Sequence, residues 1–182
     1  MKPSYSSLLL SLFAAAAANP IAPRASCATG LHIIAARASG ENPGPGIIGA
    51  VAQSIISRVP GSDLDSVVYP ASINNVEDYS NSEHQGVVAM TKLVQDYVTA
   101  CPNTKIALLG YSQGAEVVGD VLCGSSEDIS PKTAPLGTQY SKSIIAAISM
   151  GSPAHVAGQP YNQGTSTRSG VSHLFASLLP HC

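Results

Sequence analysis

Charge is scarce in this sequence. Only 11% of its 182 residues are Asp, Glu, Lys or Arg, and the formal net charge is -2. That leaves neither a basic surface suited to nucleic acid nor an acidic tail. Beyond the N-terminus no apolar run reaches membrane length, and no Asn-x-Ser/Thr acceptor occurs. The product is therefore expected to be soluble, away from the membrane and free of N-linked glycans. None of the spacings among Cys27, Cys101, Cys123 and Cys182 resembles a zinc ligand pair, so no metal is expected, and nothing calls for another cofactor. There is no internal repeat. No acidic residue follows Asp128, which matters for any chemistry that needs a carboxylate late in the chain.

What is present starts with Met1 and Lys2, then an apolar stretch from Leu8 to Ala18 with five consecutive alanines. Residues 1–18 read as a secretory signal peptide, too short to span a bilayer. Cleavage after Ala18 and after Ala22 both fit, and residues 19–26 read as a short pro-segment. The expected destination is extracellular. In a secreted chain the four cysteines suggest disulfides, and four allow three connectivities.

The richest stretch runs from Lys105 to Cys123. Ile106, Ala107, Leu108 and Leu109 form an apolar run of strand length. Gly110-Tyr111-Ser112-Gln113-Gly114 follows, and Ala115, Val117, Val118, Val121 and Leu122 then recur at helical spacing. A G-x-S-x-G between a strand and a helix is the pattern of a nucleophile elbow, whose glycines let the chain turn sharply. Ser112 is the candidate nucleophile, at the carboxyl end of a central strand and beside a helix's positive N-terminus.

The rest of the chain supplies the frame. Leu31 to Ala36 is apolar apart from His32, as in a strand covered on both faces, and His32 reads as structural. Ile47, Ile48, Val51, Ile55, Ile56 and Val59 mark a helix face. A second strand is expected over Ser66 to Ala71, then a long helix bearing Val87, Val88, Met90, Leu93, Val94, Tyr97 and Val98, with His84 exposed near its start. Ile144 to Ile148 gives a fourth strand. Strands alternating with helices imply one α/β domain, a three-layer sandwich around a small parallel sheet. Ser152 to Gly170 reads as a long polar loop. For the last twelve residues a short amphipathic helix and an unrelated tail fit equally well.

Cys101-Pro102, the elbow and the helix ending at Cys123 resemble the secreted fungal cutinase and acetylxylan esterase family of serine esterases. Ala36-Arg37-Ala38-Ser39, Tyr69-Pro70-Ala71 and Met150-Gly151-Ser152-Pro153 extend the likeness, which covers residues 27–170 and leaves 171–182 as a divergent tail. The resemblance implies an α/β-hydrolase-like, cutinase-like fold, a disulfide between Cys27 and Cys101, and an oxyanion hole from Ser39 and Gln113. It implies a monomer whose partner is an ester of the plant cell wall, acetylated xylan or cutin. Cys123 and the text from Ser152 to Gly170 look more like the acetylxylan esterase branch.

The family's triad acid and histidine follow the fourth strand, and neither is identifiable here. Glu116, Asp120, Glu127 and Asp128 precede that strand. His155 stands where the family has no triad residue, while His173 and His181 lie in the divergent tail. The chain thus reads as truncated or mis-spliced, without the closing strand and helix. The expectation is a secreted carboxylic-ester hydrolase acting through a Ser112 acyl-enzyme; the contrasting expectation is a secreted protein of the same ancestry without catalysis.

Overall fold

A computed structural model describes residues 26–125 and 131–170. Four strands and four helices follow one another: β1 (Leu31–Ala36), α1 (Gly49–Arg58), β2 (Asp63–Ser66), α2 (Val76–Ala100), β3 (Lys105–Tyr111), α3 (Gln113–Cys123), the one-turn α4 (Thr138–Ser141) and β4 (Ile144–Met150). The strands form one parallel sheet in the order β2-β1-β3-β4.

Alternation along the two central strands builds three layers. Ile34 and Ala36 of β1 and Ile106 and Leu108 of β3 face α2 and α3, where Val87, Met90, Val94, Val117, Val118 and Val121 are buried. Their neighbours Ile33, Ala35, Ala107 and Leu109 face α1, against Ile48 and Ala52. Side chains a residue apart point to opposite faces, so a continuous apolar run is what a doubly covered strand needs. Asn75 caps α2 by accepting from the Asp78 amide at 2.9 Å, and Glu77 and Asp78 in the first turn suit the helix dipole.

At the end of the sheet away from the elbow, Cys27 and Cys101 form a disulfide with Cα atoms 5.6 Å apart. The pairing implied by the family likeness is thus present. Nearby, Tyr97 stacks on His32, ring centroids 3.4 Å apart, and its hydroxyl accepts from the Ala28 amide at 2.9 Å. His32 Nδ1 lies 2.7 Å from Asp63 Oδ1. These contacts support the structural reading of His32. No cysteine among the described residues is a free thiol.

Two expectations need correction. The second strand is Asp63–Ser66 rather than Ser66 to Ala71. β2 is an edge strand, so polar residues suit it; just past it the Val67 amide still donates to the Ala35 carbonyl at 2.9 Å, whereas Val68 is 87% exposed, and the side chains of Val67 and Tyr69 are buried against α2 and α3. His84 is half-buried rather than exposed, with a buried Nδ1. Residues 151–170 carry neither helix nor strand, as expected of a long loop. The signal peptide, the pro-segment up to residue 25, residues 126–130 with Glu127 and Asp128, and the tail with His173, His181 and Cys182 lie outside the described residues. Among those described, no helix is long and apolar enough to cross a membrane.

Candidate active site

The elbow forms where β3 meets α3, and its geometry explains its residues. Ser112 has φ +53° and ψ -119°, a conformation that non-glycine residues occupy only under strain. Its amide donates to the Met150 carbonyl at 2.9 Å, pinning the apex to the end of β4. Its carbonyl accepts from the Ala115 amide at 2.9 Å and the Glu116 amide at 3.2 Å, opening α3. The flanking glycines are there for space. A Cβ on Gly110 would stand 2.1 Å from the Gly114 carbonyl oxygen, and one on Gly114 would stand 2.2 Å from that of Ala36.

Gln113 is fully buried, and its side chain is held at both ends. Its Oε1 accepts from the Ser82 hydroxyl at 3.1 Å, while its Nε2 donates to the carbonyls of Ser72 at 3.0 Å and Tyr79 at 3.3 Å. The backbone N–H of Gln113 lies in the first turn of α3, where no intrahelical carbonyl reaches it. The clamp thus fixes the direction of a free amide beside Ser112.

Ser39 stands in the loop leaving β1, half-buried, with its Oγ buried and without a hydrogen-bond partner among the described residues. That loop runs against the elbow, because Gly114 packs on the carbonyls of Ala36 and Arg37. Arg37 organises it: the buried guanidinium donates to the carbonyls of Glu41 at 2.9 Å, Tyr69 at 2.7 Å and Pro70 at 3.1 Å. The Glu41 carboxylate accepts from the Ala38 amide at 2.7 Å and the Ile47 amide at 2.8 Å. Gly40 donates to the Ala71 carbonyl at 2.8 Å, which ties the β1 and β2 loops together. Burial raises the Tyr69 phenol above its ordinary range, and Arg37 lowers it in part.

Behind the elbow lies a group of carboxyls between α2 and α3. Glu83 and Glu116 are buried, and the Tyr79 hydroxyl donates to Glu116 Oε2. Burial, and next the Glu116 charge, push Asp120 up to about 7, against a hydrogen bond from Glu83 that acts to lower it.

Arg37, Glu41 and this carboxyl group were not singled out as site residues by sequence reasoning. The available signal was Glu116 and Asp120 themselves, like charges four residues apart in a helix that is otherwise apolar on that side, an arrangement that repels on an exposed face.

Among the described residues no histidine is hydrogen-bonded to Ser112. His32 Nδ1 is engaged with Asp63 at the far end of the sheet, and the unpartnered buried histidine nitrogens among the described residues are Nε2 of His32, Nδ1 of His84 and Nε2 of His155.

A family model described as cutinase matches residues 27–179. The chain belongs to the cutinase family. The resemblance read at the elbow therefore holds, and the match runs beyond Gly170. Cutinase 11 of Verticillium dahliae is 38% identical to this cutinase-family chain, covering 92% of it and 59% of its own length. Acetylxylan esterase of Hypocrea jecorina is 33% identical, covering 77% of this chain and 49% of its own. Acetylxylan esterase 2 of Talaromyces purpureogenus is 36% identical, with 77% and 63% covered. The chain thus spans about half to six-tenths of the length of these curated relatives. The solved catalytic core domain of acetyl xylan esterase from Trichoderma reesei superposes with a TM-score of 0.75 at 32% identity, covering 81% of this chain and 74% of that one. The cutinase-like α/β fold expected from the sequence is the fold found.

Proposed function

We propose that this cutinase-family protein is a secreted carboxylic-ester hydrolase that deacetylates xylan or a related plant cell-wall ester through an acyl-enzyme on Ser112. The observation that carries the reading is the strained Ser112 at the apex between β3 and α3, beside the uncommitted amide of Gln113. In the first step Ser112 Oγ attacks the ester carbonyl carbon, and negative charge develops on the carbonyl oxygen. The amides of Gln113 and Ser39 are the donors to that oxygen, each worth about 3 kcal/mol in the transition state. The alcohol leaves with a proton, and water then attacks the acyl-serine to release the acid and restore the hydroxyl. Ser112 must give its proton to a base in the first step.

Acetylated xylan ranks first because two of the relatives and the superposed structure bear the name acetylxylan esterase. Cutin polyester is the second reading, supported by the 38% identity to Cutinase 11. The signal-like N-terminus and the Cys27–Cys101 disulfide support an extracellular destination.

The test is labelling by a fluorophosphonate together with turnover of p-nitrophenyl acetate. Labelling and turnover that both vanish in Ser112→Ala support the hydrolase. Turnover indifferent to that change sinks it and favours the non-catalytic relative. Release of acetate from acetylated xylan, set against release of hydroxy acids from cutin, separates the substrates.

A further inference from the structure

Cys123, the last residue of α3, is disulfide-bonded. Cys27 and Cys101 are bonded to each other, and the remaining cysteine of the sequence is Cys182. The sequence around Cys182 has a pattern that bears on this. Val171, Leu174, Phe175, Leu178 and Leu179 fall at helical spacing, and Cys182 continues the series, four residues after Leu178 and three after Leu179. On a helix with this sequence the sulfur would share the apolar stripe. Residues 171–182 also contain no Asp, Glu, Lys or Arg, which suits a segment laid against an apolar surface.

Such a surface lies beside Cys123. β4 is an edge strand, and near its two ends Ile145 is 58% and Met150 47% exposed, with Ala146 and Ala147 exposed between them. Next to it, Ala115, Gly119 and Cys123 form a row along α3, one turn apart. The Ser149 hydroxyl donates to the Ala115 carbonyl at 3.2 Å, so the row borders β4. A Cβ on Gly119 would meet nothing within 4 Å among the described residues. The row thus has room for a neighbour, and it ends on the bonded sulfur.

We propose that Cys182 is the partner of Cys123, and that the bond straps residues 171–182 along the edge of β4 and the flank of α3. The start of the strap is fixed by Gly170. Its amide donates to the His155 carbonyl at 2.8 Å, and it packs so closely on Pro153 that a Cβ would stand 2.0 Å from that carbonyl oxygen. Pro153 follows the end of β4, where the Met150 carbonyl accepts from the Ser112 amide. Gly170 is therefore at the elbow end of the sheet. The helix α3 begins at that end and, over its 11 residues, carries Cys123 about 16 Å away from it. The stretch 171–182 measures about 18 Å as a helix and about 40 Å fully extended, so it reaches the sulfur in either form. The bond is independent of the chemistry at Ser112.

The experiment uses the full chain, purified oxidised and alkylated without reduction. A Lys or Arg stands between each consecutive pair of cysteines, so trypsin places all four on separate peptides. Mass spectrometry is expected to find peptide 106–132 linked to peptide 169–182, and the pair should separate on reduction. Peptide 106–132 linked to a second copy of itself would make Cys123 a bridge between two chains and overturn the proposal. Alkylated Cys182 in the unreduced sample would overturn it equally.

The path of the strap is read by hydroxyl-radical footprinting of the same wild-type protein, with two isoleucines compared. Ile73, in a loop, is 65% exposed, close to the 58% of Ile145. Covered by the strap, Ile145 is expected to be modified roughly threefold more slowly than Ile73. Equal rates for the two would overturn the docking on β4. Neither measurement needs a variant, so no failure to fold can obscure the result.

Discussion

The α-carbon of Gly114 packs directly on the carbonyl of Ala36, so that a Cβ there would stand 2.2 Å from the oxygen. This contact lets the first turn of α3 close onto the end of β1, where the loop that carries Ser39 begins. Gly114→Ala must push the helix off the strand. We expect a loss of about 3 kcal/mol in urea unfolding, at the upper end for overpacking. A change below about 1 kcal/mol would show that the elbow yields easily.

The backbone of Ser112 predicts an asymmetry between two substitutions that both remove the hydroxyl. Ser112→Ala keeps a Cβ at φ +53° and so keeps the strain. Ser112→Gly relieves it, at the cost of a more flexible unfolded chain. The glycine variant is expected to be more stable than the alanine variant by roughly 1 kcal/mol, read from denaturant midpoints at equal slope. The reverse order would mean that the conformation is not strained.

Gln113→Leu removes the clamp without changing the backbone amide. The Ser82 hydroxyl and the carbonyls of Ser72 and Tyr79 would each lose a buried partner. A destabilisation of roughly 3 kcal/mol is expected. In an active protein, kcat should fall more than KM rises, because the misdirected amide serves the transition state. Equal stability of variant and wild type would show the clamp to be dispensable.

Replacing Cys27 and Cys101 together by serine opens a loop with a sequence separation of 74. The chain-entropy estimate for a loop of that size is about 4 kcal/mol. The unfolding midpoint of the double variant should drop accordingly. Wild type and variant melting together would assign the bond no role in stability.

The elbow was legible because three signals agree there: an apolar run of strand length, the spaced glycines, and helical periodicity after them. β1, β3 and β4 were legible for the same reason. The β2 boundary was not. Val67, Val68 and Tyr69 have strand-like composition, yet their alternation reflects a buried residue, an exposed one and another buried one in a loop. Asp63–Ser66 pairs with β1 through backbone bonds that any side chain permits. Ser39, left to residue type, is an ordinary loop serine; what ties its loop to the elbow is the packing of the Ala36 and Arg37 carbonyls on Gly114. The carboxyl group was hidden because the burial of Glu83 and Glu116, and the partial burial of Asp120, depend on how α2 and α3 face each other, and one helix alone does not reveal that.

The disulfide has the same offset as the sheet. Leu31 pairs with Lys105, and four residues earlier on both segments Cys27 meets Cys101. The bond therefore acts as a covalent rung below the β1–β3 ladder. A slip of one residue in that pairing carries one sulfur about 3.3 Å along the strand and turns every side chain of β1 to the wrong face. The bond and the pairing therefore favour one and the same register. Once closed, it turns the search for a distant strand into a local zipping event, leading up the sheet to the turn that carries Ser112.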